Sequence, residues 1–142
     1  MSKHIYIGSD HGGFELKEAL KKQLSEIQWE DVGCFENNRC DYPNIADALV
    51  KSIQNHKEAL GILICGTGIG ISMRANRYKG IRAALVYDVE TARLAKAHNQ
   101  ANVLCLGGRT TDIKTAISCV KTWLITDYDG GRHDARIFLL DS

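Results

Sequence analysis

Leu60-Gly61-Ile62-Leu63-Ile64-Cys65-Gly66-Thr67-Gly68-Ile69-Gly70 joins an unbroken apolar run to a glycine-rich turn. An apolar run without polar alternation marks a strand buried on both faces, as in a parallel sheet covered by helices. The turn sets backbone N–H groups at the start of the next helix, with the Cys65 thiol at its lip and the Thr67 hydroxyl beside it. Amides so placed favour negative charge, so the junction reads as a cradle for an oxyanion or a polyol, and the same field suits a thiolate. A strand-end cysteine that only packs is the competing reading.

Outward from this junction, strand candidates at residues 4 to 8, 29 to 33, 60 to 65, 81 to 86 and 102 to 107 alternate with helical patterns. The last three read as strands buried on both faces. Leu16, Leu20, Leu24 and Ile27 follow helical spacing, with Lys17, Lys21 and Lys22 on the opposite side. Pro43 suits a first helical turn, and Ala46, Leu49, Val50 and Ile53 then make an apolar stripe. Ile113, Ala116, Ile117, Val120 and Leu124 repeat the pattern. The alternation predicts an α/β protein of one domain, residues 1–142. Right-handed crossovers make the strands parallel, so Gly8, Gly66 and Gly107 share one edge, where active sites of such sheets lie.

At 142 residues the chain can build one domain with a core, but not a nucleotide domain plus a separate substrate domain. Its 18 basic and 17 acidic residues leave a net charge of +1, which points to neither nucleic acid nor a membrane surface as partner. Only residues 5 to 7 are apolar at the N-terminus, far short of a signal-peptide core or a membrane span, so a cytoplasmic location is expected. Cys34, Cys40, Cys65, Cys105 and Cys119 are odd in number and lack the paired spacing of a zinc site or a disulfide framework. They are expected to be reduced, with Cys105 and Cys119 as packing residues, Cys34 and Cys40 in a polar connection, and no metal site.

Three other islands carry chemistry. Gly8-Ser9-Asp10-His11-Gly12-Gly13 places a carboxylate and an imidazole at a strand end, either as a polar pair for a hydroxyl or anion or as a turn in which Asp10 caps the next helix. His98-Asn99 ends a small-residue helix, where an imidazole can shuttle protons or merely face the helix dipole. Gly130-Gly131 precedes a short helix that sets Arg132 and Arg136 four residues apart; with Arg109 they could chelate a phosphate, or form a solvated basic turn. The Cys65 loop is not a Walker A loop, since Gly70-Ile71-Ser72 replaces the Gly-Lys-Ser/Thr ending, and Ile71 stands where a thiol phosphatase would carry arginine. A dinucleotide or redox module using Gly66 to Gly70 and Asp88 stays as the alternative from another class.

Taken in order, SDHGG at 9 to 13, DYP at 41 to 43, CGTGIGIS at 65 to 72, HN at 98 and 99 and GGRHDAR at 130 to 136 resemble the type B ribose-5-phosphate isomerases. That family also holds galactose-6-phosphate isomerase subunits and allose-6-phosphate isomerase, and the likeness spans essentially the whole chain. It implies a Rossmann-like three-layer α/β/α sandwich with a five-stranded parallel sheet, and a homodimer, open to further pairing into tetramers, with active sites at the interface. It also implies a small sugar phosphate as substrate and no cofactor or metal. By resemblance, Cys65 is the base between C1 and C2, and Thr67 with the amides of Gly66, Gly68, Ile69 and Gly70 stabilises the enediolate. His98 assists ring opening with Asp10 on the sugar oxygens, Tyr42 and Asn99 contact the sugar, and His11, Arg109, Arg132 and Arg136 hold the phosphate. One branch of the family replaces the cysteine and uses a glutamate elsewhere; here the cysteine is present. Ribose 5-phosphate is the expected substrate, with allose 6-phosphate or galactose 6-phosphate as the alternatives.

Overall fold

A computed structural model describes residues 4–35, 39–56 and 58–142. In chain order its elements are β1 (His4–Ser9), α1 (Phe14–Gln23), β2 (Gln28–Asp31), α2 (Tyr42–Gln54), β3 (Leu60–Cys65), α3 (Ile69–Ala75), β4 (Ala83–Leu85), α4 (Val89–Ala97), β5 (Val103–Gly107), α5 (Ile113–Ile125) and α6 (His133–Leu140). The strands form one parallel sheet in the order β2-β1-β3-β5-β4.

Side-chain alternation along the strands divides the core. Ile5, Ile7, Ile62, Ile64, Leu104 and Leu106 pack with Leu16 and Leu20 of α1, Ala92 and Ala95 of α4, and Val120 and Trp123 of α5. Tyr6, Leu63, Cys65, Val103 and Cys105 pack with Leu49, Val50 and Ile53 of α2 and Ile71 of α3. Helices therefore cover both faces, which explains the unbroken apolar runs of β3 and β5. α1 and α3 leave β1 and β3 toward opposite faces, so the strand order reverses between these neighbours and a crevice opens at their carboxyl ends.

Four expectations change. β4 is the sheet's edge strand and only partly buried, because one side of its ladder has no neighbouring strand among the described residues. α1 stops at Gln23, with Leu24 as cap, and Ile27 reaches the core from the turn that follows. Ile113 sits exposed on the first turn of α5, ahead of the buried stripe. Lys17 is buried rather than solvated: its ammonium meets both carboxylate oxygens of Asp31 at 2.9 Å and the carbonyl of Cys34, beneath the rings of Phe14 and Phe35. Burial alone would raise the Asp31 carboxyl; hydrogen bonds from Lys21, Lys17 and the Gly33 amide outweigh it and hold the group below the usual carboxylate range.

The largest correction concerns the cysteines. Cys34 and Cys40 are joined in a disulfide across a sequence separation of 6 residues, with Cα atoms 6.4 Å apart. Spacing alone did not reveal the pair, because the turn after β2 is what brings the two ends of this connection together. Cys65, Cys105 and Cys119 are free and buried. Burial pushes the Cys105 thiol far up and that of Cys119 to about 11, as suits packing residues.

Candidate active site

Three strand ends meet at Cys65. The Gly108 amide donates to the Cys65 carbonyl at 2.8 Å and the Arg109 amide to the Gly66 carbonyl at 2.9 Å, tying the end of β5 to the turn after β3. On the other side, the Asp10 amide donates to the Ile64 carbonyl at 3.1 Å. A Cβ on Gly108 would collide with the carbonyl oxygen of Gly12, so glycine is what lets the first and fifth strand ends touch.

Cys65 is buried, and its Sγ accepts a hydrogen bond from the Gly68 amide at 3.1 Å. Gly68 has φ of +80°, a left-handed conformation that turns its N–H back toward the sulfur at low cost only for glycine. The Ile69 amide donates to Thr67 Oγ1 at 3.2 Å, which fixes that hydroxyl within the turn. The buried Asp10 carboxylate takes the Gly12 and Gly13 amides on one oxygen, at 2.9 and 3.1 Å. It thus serves as a turn acceptor, as the plain reading of the loop held, and its second oxygen has no such role in those bonds.

The Tyr42 ring lies over Gly70, and the Arg109 guanidinium over Gly66. His11 is exposed, with Nδ1 3.2 Å from the Cys40 carbonyl, so the disulfide-closed connection sits against the first loop. One edge of the sheet therefore gathers Asp10, His11, Tyr42, Cys65, Gly66, Thr67, Gly68, Ile69, Gly70 and Arg109.

The other islands lie at the opposite edge. α4 runs back against the strands, so His98, its C-cap, comes before β5, whereas Cys65 pairs with Gly107 at the far end of that strand. The Gly61 amide donates to the Asn102 carbonyl, which fixes the 98–102 turn at the beginning of β3 and β5. Four residues of strand rise alone separate the two by roughly 13 Å. The Asp129 amide donates to the Ala97 carbonyl at 2.9 Å, and Asp141 pairs with Arg82 just before β4 at 2.9 Å, so α6 with Arg132 and Arg136 crosses the same end. Asn99 lines a groove there with Leu94 and Leu140. One chain does not bring Cys65 and His98 together, nor Arg109 and the Arg132–Arg136 pair.

Around His98 the fold assembles groups that spacing in the sequence did not disclose. His98 Nε2 lies 3.8 Å from Asp129 Oδ2, and its ring stacks on His133 with centroids 4.4 Å apart and planes 18° apart. His133 is buried, and burial, the neighbouring His98, and the Arg132 and Arg136 charges hold it below the ordinary imidazole range. Among the described residues these three form the group whose donor atoms all fall within 4.8 Å, as a metal set would. Stacked rings, however, aim their lone pairs side by side, and two guanidiniums flank the group.

The dinucleotide alternative loses its acidic partner: the Asp88 carboxylate caps α4, accepting from the Thr91 amide at 2.8 Å in a capping box. A cavity of about 560 Å³ opens beside Leu60, Lys79, Arg82 and Tyr128 at the strands' amino ends and includes neither Cys65 nor His98. No helix among the described residues is long and apolar enough to cross a membrane.

A family model described as Ribose/Galactose Isomerase matches residues 5–140. A probable ribose-5-phosphate isomerase B of Mycoplasma pneumoniae is 46% identical over 140 residues, covering 96% of this chain and 92% of that protein. The crystal structure of a ribose 5-phosphate isomerase of Thermotoga maritima superposes with a TM-score of 0.96 at 47% identity, over 99% of both chains. A ribose-5-phosphate isomerase B of Mycoplasma genitalium with bound ribulose-5-phosphate superposes with a TM-score of 0.92 at 40% identity, over 99% of this chain and 95% of that one.

Proposed function

The chain belongs to the ribose/galactose isomerase family, and we propose that it interconverts D-ribose 5-phosphate and D-ribulose 5-phosphate at a site completed by a second copy of itself. The observation that carries the chemistry is the Cys65 sulfur, held under the Gly68 amide where three strand ends meet. In the open aldose the Cys65 thiolate takes the C2 proton, the electrons move onto O1, and an enediolate forms. Returning the proton to C1 while the O2 proton passes to O1 leaves the ketose. With the Gly68 amide on the Cys65 sulfur and the Ile69 amide on Thr67 Oγ1, the Thr67 hydroxyl and the remaining amides of residues 66 to 70 are the donors for the oxygens on which charge develops, and such donors stabilise a transition state more than its ground state. His98 opens the furanose with Asp10 on the sugar oxygens, and Tyr42 and Asn99 contact the sugar. His11, Arg109, Arg132 and Arg136 hold the non-reacting phosphate, which keeps the reacting carbons in place. No step needs a metal or cofactor.

Opposite-edge placement of the two halves supports a homodimer. Ile69 and Met73 of α3, Leu85, Tyr87 and Val89 beside them, and Phe138, Leu139 and Leu140 of α6 are exposed apolar residues. A groove of about 470 Å³ follows the free edge of β4 between Leu85, Leu94 and Leu140. A two-fold axis across the strand direction at this edge covers that surface and inverts one copy, so each Cys65 loop meets the other copy's His98 and arginines. Two equal sites result. A cytoplasmic location fits a sugar-phosphate enzyme, and there the Cys34–Cys40 pair would sit in a reducing medium.

Cys65→Ala tests the reading. Loss of a positioned base should lower turnover of ribose 5-phosphate roughly 10²- to 10⁴-fold or more. Calorimetric binding of the same sugar phosphate should stay within a few fold, because the phosphate contacts remain. Near-normal turnover would remove Cys65 from the mechanism, and no turnover by the unmodified protein would refute the activity.

A further inference from the structure

Asp129 has no part in the roles above, yet its place is built. Its own amide is bound to the Ala97 carbonyl at 2.9 Å, which pins the residue to the end of α4, and its carboxylate lies 3.8 Å from His98 Nε2. The other carboxylate near this ring, Glu90, is already engaged by the Arg93 guanidinium at 2.6 and 3.1 Å. His133 covers the ring's face at 4.4 Å. Arg132 and Arg136 add positive charge from the α6 side, and Arg93 from α4. Among the described residues Asp129 is thus the anion left to face His98.

We propose that Asp129 is a positioning residue for His98, its carboxylate facing Nε2 and holding the ring in the orientation from which it hands a proton to the sugar in ring opening. The inference rests on the isomerase reading. Opening the furanose breaks C1–O4; the electron pair stays on O4, which takes the His98 proton, while the O1 proton leaves to the Asp10 carboxylate across the interface and C1=O1 forms. Each opening therefore starts from a protonated ring. Burial, the neighbouring His98 and the two arginine charges hold His133 below the ordinary imidazole range, and its ring covers one face of His98.

The test compares Asp129→Asn with the unmodified protein in two ways. With ¹⁵N-labelled histidine and no substrate, the His98 ring signals at one fixed pH near neutrality should move in the variant, because Nε2 loses the carboxylate that faces it. In turnover, the rate from ribose 5-phosphate should fall about two- to fivefold, the size expected of a partly exposed charge pair. The rate from ribulose 5-phosphate, which arrives open, should not change, and Asp129→Glu should recover most of the loss. A merely structural role would lower both directions together. Identical His98 signals, or equal losses in the two directions, would overturn the proposal. Absence of any turnover by the unmodified protein would sink the activity instead, and the ring signals would still decide for or against Asp129.

Discussion

Cys65 and His98 stand at opposite ends of β5: Cys65 is paired with Gly107 at its last residue, and His98 caps the helix that precedes its first. A site that needs both must draw on two chains. If that assembly is the proposed homodimer, Cys65→Ala and His98→Asn variants, each slow with ribose 5-phosphate, should complement each other when mixed through unfolding and refolding. Random reassortment makes half the dimers mixed, and each mixed dimer has one intact site, so roughly a quarter of the unmodified activity should return. A mixture no more active than its parents would place both residues in one chain's site.

The parallel sheet was legible because β3 and β5 are apolar along their length and helical patterns alternate with the strands, and the placing of Asp10, Cys65 and Thr67 at one edge was legible because they lie at or just after strand ends. Which edge His98 occupies was equally implicit, since a helix between parallel strands returns the chain to their amino ends. Grouping it with Cys65 took the residues as a set rather than tracing that return. Lys17 misled because helical spacing put it opposite Leu16 and Leu20, and Asp31, 14 residues on, together with the Cys34 carbonyl makes its burial tolerable. Asp129 and His133 gave no signal beyond standing beside Gly130 and Arg132; their meeting with His98 depends on the path of the chain after α5.

Arg132 and Arg136 are exposed on the far half of the proposed site, free to meet a phosphate rather than an internal carboxylate in the contacts described. Arg132→Ala and Arg136→Ala should each weaken binding of the sugar phosphate by about 1.5 to 3 kcal/mol if the charge-assisted bonds are direct. Inorganic phosphate should compete correspondingly less well. Competition unchanged in both variants would remove these residues from the clamp.

Lys17 and Asp31 should govern acid stability. The Asp31 carboxyl is lowered in the fold, so its contribution is fully present above the unfolded value, near 3.9, and is lost as pH falls through the lower folded one. Asp31→Asn should flatten the fall in stability between about pH 5 and 2. Lys17→Met, which leaves Lys21 on Asp31 at 2.8 Å, should cost about 3 kcal/mol at neutral pH, the low end for breaking a buried pair. Urea unfolding at pH 7 and pH 3 reads both, and an unchanged acid slope in Asp31→Asn would discard the linkage.

The Cys34–Cys40 connection touches the site through the Cys40 carbonyl at His11 and runs directly into Tyr42. Cys34→Ser, or reduction by a dithiol, should loosen both contacts and raise the KM for ribose 5-phosphate by a few fold while kcat stays near its original value, since Cys65 and Gly68 are untouched. Activity measured across a thiol–disulfide series provides the check. Indifference of KM to both treatments would show that the connection does not steady His11 or Tyr42.

Replacing His98 should separate the two directions of the reaction. Ribose 5-phosphate has its O5 blocked but closes a furanose through O4, so the reactive aldehyde is scarce and an enzyme gains by opening the ring itself. Ribulose 5-phosphate carries its carbonyl at C2, and a five-membered ring there would need the phosphorylated O5, so the ketose arrives open. If His98 delivers the ring-opening proton, His98→Asn uses only aldehyde that solution supplies. Its rate from ribose 5-phosphate should then level off as enzyme is added, at the rate of spontaneous opening, while its rate from ribulose 5-phosphate keeps climbing in proportion. The unmodified protein should pass that ceiling without a break. Should the variant's aldose rate remain proportional to enzyme well beyond uncatalysed opening, the proton comes from another group, and His98 would be left to bind the sugar or to cap α4, where its backbone amide already closes the last turn on Leu94.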